Sequence, residues 1–341
     1  MRRILVAAAF ALLALSAGLA ACNPPERAPT GAPTQAPAQA STHSPADISH
    51  GEAPIGTGAT PAPIDAVAPP RATTQRHKIR LEMRHTRIVL TDGVPFDAWT
   101  FDGQVPGPVL RVTVGDTVDF TVVNKAPIPH SMDFHAAEVS PSRVYVNVNP
   151  NDSLQYRFVA HVAGAFMYHC GTAPVALHIA SGMYGAIIVD PIRPRPAARE
   201  YVLVQSEFYT RSAGDKTDST AMAIDWQKLL SLAPDHVVFN GRAAQYATHP
   251  LPVKAHELVR IYLVNAGPNR ASAFHVVGAI FERVFQDGRA APTFEGIQTV
   301  EVPVGGGAIF ELRLAEPGNY PFVSHAFADA TKGAVGILQT K

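Results

Sequence analysis

Cysteine is almost absent: the 341 residues contain Cys22 and Cys170 and no others. So small a supply excludes a disulfide framework. Charge of one sign is lacking as well, since 28 basic side chains are matched by 28 acidic ones and the formal net charge is zero. That balance excludes the broad positive field that draws proteins to nucleic acid or to anionic lipid surfaces. A small molecule or a redox protein is the expected partner.

Arg2 and Arg3 precede an uncharged apolar run, Ile4 to Ala21, that closes in small residues, as export signals do. The run ends Leu19-Ala20-Ala21-Cys22, which is similar to a bacterial lipobox, where the cysteine becomes the acylated first residue. A membrane-spanning anchor is the competing reading, because a run of about 18 apolar residues can just cross a bilayer. Small residues followed by a cysteine suit cleavage better. The expectation is a signal peptide over residues 1–21 and a periplasm-facing lipoprotein held to the membrane by its lipid alone. Asn23 replaces the aspartate of a common inner-membrane retention signal, which points to the outer membrane. Cys170 then has no partner, and must be a reactive thiol, an intermolecular bridge or a metal ligand.

Residues 22–72 are rich in Pro, Ala, Thr and Gly, with eleven prolines and few large apolar side chains. Such a segment cannot bury a core and reads as a disordered tether, spanning roughly 40 Å root-mean-square as a flexible coil. The remainder of the chain is mainly β in pattern. Val112, Val114, Val118, Phe120 and Val122 alternate with polar residues around Gly115-Asp116, as half-buried antiparallel strands do. One helical stretch is expected over Ala221 to Leu232, before Pro234. The proline-dense segment Pro191 to Pro196 marks a boundary between domains at 73–192 and 193–341. The two halves look like copies: Val118 to Asn124 then His130 matches Val259 to Asn265 then His275, Phe166 to His169 matches Phe322 to His325, and Gly182 to Gly185 matches Gly333 to Gly336. Two similar β-sandwiches in tandem are implied. Cys170 follows His169, whereas Ala326 follows His325.

The segment from Cys170 to Met183 places Cys170, His178 and Met183 on one loop between apolar strands, and His130 lies upstream. Taken singly, Met183 and His178 read as core or surface residues and Cys170 as an inert buried thiol. Together they form a thiolate, two imidazoles and a weak thioether, the ligand set of a blue copper site. Alternate side chains of an extended strand point to opposite faces, so His169 must point away from Cys170 and is free for a second metal. His135, an odd number of residues past His130, can join it, and the repeat offers His325 as a third ligand. Each of these three alone would pass for an ordinary structural histidine. A three-histidine site with an open fourth position is catalytic in kind.

The motifs continue in order: Thr100 to Pro108, His130 to His135, Tyr168 to Val175, Gly182 to Gly185, His236 to Gly241, Phe274 to Gly278 and Val323 to His325. Through them the chain resembles the copper-containing nitrite reductases, over nearly everything from Arg87 to Lys341. The seven residues between Cys170 and His178 are similar to the subgroup with outer-membrane lipoprotein members. The resemblance implies an all-β fold of two tandem cupredoxin-like Greek-key sandwich domains. It implies a type 1 copper on His130, Cys170, His178 and Met183, and a type 2 copper on His135, His169 and a neighbouring subunit's His325. Two coppers per subunit and a homotrimer with shared type 2 sites are implied with them. Asp133 and His275 match the acid and base that flank nitrite. Val277 stands where the family usually has an isoleucine, so the pocket would be slightly roomier. Val300 falls where some members carry a threonine hydroxyl that orients the catalytic histidine, with Thr299 beside it as a substitute.

The activity so implied is one-electron reduction of nitrite to nitric oxide and water, with electrons from a cytochrome c or a small cupredoxin. A laccase-like multicopper oxidase shares the domain, but its trinuclear cluster needs His-x-His motifs, and none occurs among the 14 histidines. A simple electron carrier, loaded only at Cys170, would leave Asp133, His135, His169, His275 and His325 without a joint purpose.

Overall fold

Alternation decides most of the strands. Along Thr117–Asn124, Val118, Phe120, Val122 and Asn124 are buried while the residues between them are half-exposed. A computed structural model describes residues 62–341; the expected signal peptide, Cys22 and the tether as far as residue 61 lie outside the described residues.

The strands form four sheets. The first runs, in spatial order, Thr210–Ser212, Met222–Ile224, Val94–Phe101, Arg76–Thr91, Thr117–Asn124 and Ser153–Val159, and the second Leu110–Thr113, Tyr184–Asp190, Gly164–His169 and Asp133–Phe134. They face each other over a core that includes Leu81, Phe101, Phe120, Phe134, Tyr168 and Ile187. The third runs His236–Phe239, Arg199–Phe208, Val259–Asn265, Gly307–Leu312, Phe281–Gln286 and Phe294–Ile297, and the fourth Leu251–Val253, Val335–Thr340, Gly318–Ser324, Ser272–Val276 and Thr299–Val302. Their shared core includes Tyr201, Leu203, Phe274, Val284, Phe310 and Phe322.

Both pairs of sheets have one topology. Thr117–Asn124 lies parallel to Arg76–Thr91 and antiparallel to Ser153–Val159, just as Val259–Asn265 lies parallel to Arg199–Phe208 and antiparallel to Gly307–Leu312. Gly164–His169 pairs with Tyr184–Asp190 as Gly318–Ser324 pairs with Val335–Thr340. The terminal asparagines act alike. Asn124 donates to the carbonyls of Ile128 and Val148 and accepts from the Ala126 N–H; Asn265 donates to Arg270 and Val302 and accepts from the Gly267 N–H. Each asparagine braces the loop that leads to a histidine, His130 or His275.

Every residue of Tyr184–Asp190 is buried. Ile187 and Val189 point into the first core, while Ala186 and Ile188 join a second apolar layer with Val202, Val204, Tyr262 and Ile309 of the third sheet. Apolar cover on both faces explains why this strand reads as a continuous apolar run.

Four expectations need correction. Leu110–Thr113 and Thr117–Asn124, read as antiparallel strands around Gly115-Asp116, part into different sheets, because Gly115 at φ +91° and the Asp116 carboxylate, which accepts from the Thr113 N–H, redirect the chain. The helix expected over Ala221 to Leu232 shrinks to Trp226–Leu230: Met222–Ile224 pairs with Thr210–Ser212, and Asp225 caps the helix by accepting from the Lys228 N–H. The Pro191 to Pro196 segment carries no helix or strand, yet Thr210–Ser212 and Met222–Ile224, beyond it, return to the first sheet. Finally, the end of the expected tether is ordered. Ala66 and Ala68 are buried, the Ala68 N–H donates to Glu200, and the Val202 N–H donates to Ala66, so small alternating side chains let this segment lie along the third sheet.

Candidate metal centres

Strand Gly164–His169 and the residue after it carry two donors facing opposite ways. Cys170 is fully buried, and its Sγ lies 3.3 Å from Nδ1 of His178 and 3.9 Å from Nδ1 of His130, which are themselves 3.0 Å apart. Helix Val175–Ala180 brings His178 into place, and an isolated bridge between His130 and Val148 holds the other imidazole. Met183 is buried in the same core, and its carbonyl accepts the Cys170 N–H. The Ser131 N–H donates to Sγ at 3.3 Å, and the Gly171 N–H donates to the Ser131 hydroxyl, which fixes the turn around the thiol.

Electrostatics keep this cluster neutral when no cation is present. Burial pushes the Cys170 thiol up, against the pull of the Ser131 and Thr172 hydrogen bonds. Burial takes His178 down to about 4, and burial with the neighbouring His178 and His85 takes His130 well below its ordinary value. Two imidazole nitrogens and a thiol, all buried and converging within 4.8 Å, fit a soft cation that draws off the thiol proton. The donor set is that of a blue copper site.

On the other side of the strand, His169 meets His135 and Asp133. The Nε2 atoms of His135 and His169 are 3.1 Å apart, and Asp133 Oδ2 is 3.3 Å from His169 Nε2 and 3.8 Å from His135 Nε2. Each ring donates from Nδ1 to a carbonyl, His135 to Gly305 at 3.1 Å and His169 to Cys170 at 2.8 Å, so both turn an Nε2 lone pair to the same point. Burial and the nearby His169 lower the His135 pKa, while Asp133 opposes the shift. Asp133 Oδ1 is buried with no hydrogen-bond partner, a free acceptor beside the two imidazoles.

His275 and His325 lie together elsewhere in the fold, ring centroids 5.4 Å apart, and neither belongs to the two convergent groups among the described residues. Exposed His325 also stacks edge-on against Phe327 at 4.7 Å. His275 Nδ1 donates to the Gln298 carbonyl at 2.7 Å and lies 3.3 Å from the Thr299 hydroxyl. Val300 is buried in the core. The hydroxyl expected at position 300 is therefore supplied by Thr299, because neighbouring residues of strand Thr299–Val302 face opposite ways. Val277 is 45% exposed, just past His275.

Residues 82–194, the stretch that holds His130, Cys170, His178 and Met183, match the sequence profile of the multicopper oxidase family. A copper-containing nitrite reductase of Neisseria meningitidis serogroup B is 38% identical over 298 residues, covering 85% of this chain and 76% of that protein. The chain belongs to the copper-containing nitrite reductases. The corresponding enzyme of Alcaligenes xylosoxydans xylosoxydans is 32% identical, over 78% of this chain and 89% of its own. The solved copper nitrite reductase of Nitrosomonas europaea superposes with a TM-score of 0.71 at 37% identity, covering 78% of this chain and 94% of that one. The four sheets are thus cupredoxin-like, and copper is the metal that suits the donors.

Two neighbours of these clusters carry no sequence signal. The Gly305 carbonyl and His85 belong to no motif, and His85 is 45 residues from the His130 it touches. No local spacing could have found them.

Proposed function

We propose that the protein reduces nitrite by one electron to nitric oxide and water, with two coppers per subunit. His130, Cys170, His178 and Met183 are the type 1 ligands, and His135, His169 and a neighbouring subunit's His325 the type 2 ligands. When bound, copper supplies one-electron transfer at the thiolate cluster and a Lewis acid for the anion at the histidine cluster. The observation that carries the reading is the adjacency of Cys170 and His169, which turn to opposite clusters while one peptide bond joins them. Asp133, with its unpartnered Oδ1 beside the two imidazoles, is the group that holds and delivers a proton to the departing oxygen. His275, oriented through Nδ1 by Gln298 and Thr299, leaves Nε2 to hold the second proton. Val277 borders the pocket.

The electron donor is a cytochrome c or a small cupredoxin, in keeping with zero net charge and a redox partner. The protein is a lipoprotein, anchored through Cys22 on the periplasmic face of the outer membrane, and assembles as a homotrimer. The test is the copper content of the purified protein together with nitrite-dependent nitric oxide release. Cys170→Ala is expected to abolish the intense visible absorption and donor-driven turnover while copper stays at the histidine cluster. Unchanged visible absorption in that variant would refute the assignment.

A further inference from the structure

Strand Arg76–Thr91 sends one side chain to the thiolate cluster. His85 stands opposite Trp99 in the antiparallel register of this strand and Val94–Phe101. Its ring stacks on the indole, with centroids 5.0 Å apart and planes within 7° of parallel. The same indole meets His130 and His178 at steep angles, 5.5 and 4.8 Å between centroids. His85 Nε2 lies 3.1 Å from Nε2 of His130, whose other nitrogen, Nδ1, is the one turned to Cys170 and His178.

We propose that His85 is a positioning residue for the type 1 copper: it accepts the Nε2–H of His130 and thereby holds His130 in the tautomer that presents Nδ1 to the metal. The inference rests on the proposed type 1 assignment.

A neutral imidazole has one N–H and one lone pair. A metal at Nδ1 of His130 needs the lone pair there, so the proton must sit on Nε2. That proton points at His85 Nε2, which must then offer its own lone pair. The reverse arrangement, with His85 donating, would put the proton of His130 on Nδ1 and block the metal. Copper binding therefore selects one of two proton arrangements in the pair. An acceptor on the far nitrogen of a ligating imidazole also makes that ligand more basic, which favours copper(II) over copper(I). Trp99 keeps the His85 ring in its plane, and His85 lies within the paired register of strand Arg76–Thr91 with Val94–Phe101, just past the residues, Arg76 to Met83, that also pair with Thr117–Asn124. The acceptor is thus held on a rigid element.

The test uses the copper-loaded full chain with three substitutions. His85→Phe keeps a ring against Trp99 but removes the acceptor, His85→Leu removes it with less bulk, and His85→Gln restores an acceptor oxygen. Both acceptor-free variants should bind copper(II) at the thiolate cluster about 10- to 100-fold more weakly. Their reduction potential should rise, by ~59 mV for each tenfold loss that falls on copper(II) alone. The ratio of the visible charge-transfer bands should change with it, and His85→Gln should return both readouts most of the way to the parent. Parental potential and spectrum in either acceptor-free variant, or His85→Gln no nearer the parent than His85→Phe, overturns the role given to His85. A parent that lacks a thiolate band sensitive to Cys170→Ala overturns the type 1 reading itself and the role of His85 with it.

Discussion

Asp133 shows how much a single side chain depends on its surroundings. Its carboxylate is buried, one oxygen lies against His169 and His135, and the other has no partner. A buried acceptor left without a hydrogen bond costs about 1–3 kcal/mol, so retaining one beside two imidazoles argues for a substrate or a proton at that oxygen. Asp133→Asn removes the titratable group and keeps the shape. We expect both coppers to stay bound and nitrite reduction at neutral pH to fall ~100-fold or more, as on loss of a general acid. A rate within about twofold of the parent would remove Asp133 from the proton path. Thr299 and Val300 make the same point at the next residue pair, where one position along a strand separates a hydroxyl on His275 from a methyl in the core.

At the scale of elements, the doubled unit extends from sequence to hydrogen bonding. Asn124 and Asn265 end equivalent strands and tie the loops that lead to His130 and His275. Asn265 is fully buried and makes three such bonds, to Arg270, Val302 and Gly267. Asn265→Ala should lower stability by about 3 kcal/mol, at about 1 kcal/mol for each bond lost. Urea unfolding would read this as a lower midpoint with an unchanged slope. Activity should fall as well, because the Val302 carbonyl ends the strand whose first residue, Thr299, steadies His275. A variant with the parental midpoint would show that the loop holds without its asparagine.

Assembly belongs to the whole molecule. His169 ends one strand of the second sheet and His135 directly follows another, Asp133–Phe134, while His325 follows the fourth-sheet strand Gly318–Ser324 and lies with His275. Phe327, in contact with the His325 ring, is 62% exposed. A histidine and an aromatic ring on an open surface suit a site completed by another copy of the chain. Such a contact joins unlike surfaces and must repeat until a ring closes. In the proposed homotrimer, a His325→Ala chain is inactive on its own but regains activity in mixed assemblies with an Asp133→Asn chain. In these, an intact Asp133 site meets an intact neighbouring His325. Mass photometry showing monomers alone, or no activity recovered when the two folded variants are co-expressed, would refute the shared site.

What is local was legible along the chain. Strand parity set His169 and Cys170 facing opposite ways, one loop gathered Cys170, His178 and Met183, and repeated alternation declared two all-β units. These are properties of neighbours along the chain, which periodicity reports directly. Which strands lie side by side was settled by the fold. It parted Leu110–Thr113 from Thr117–Asn124, cut the helix before Pro234 to Trp226–Leu230, laid Ala66 and Ala68 along the third sheet, chose Thr299 over Val300, and set His85 against His130. Each outcome depends on pairing between residues far apart in the chain, and no pattern within one segment specifies which distant strand will come alongside.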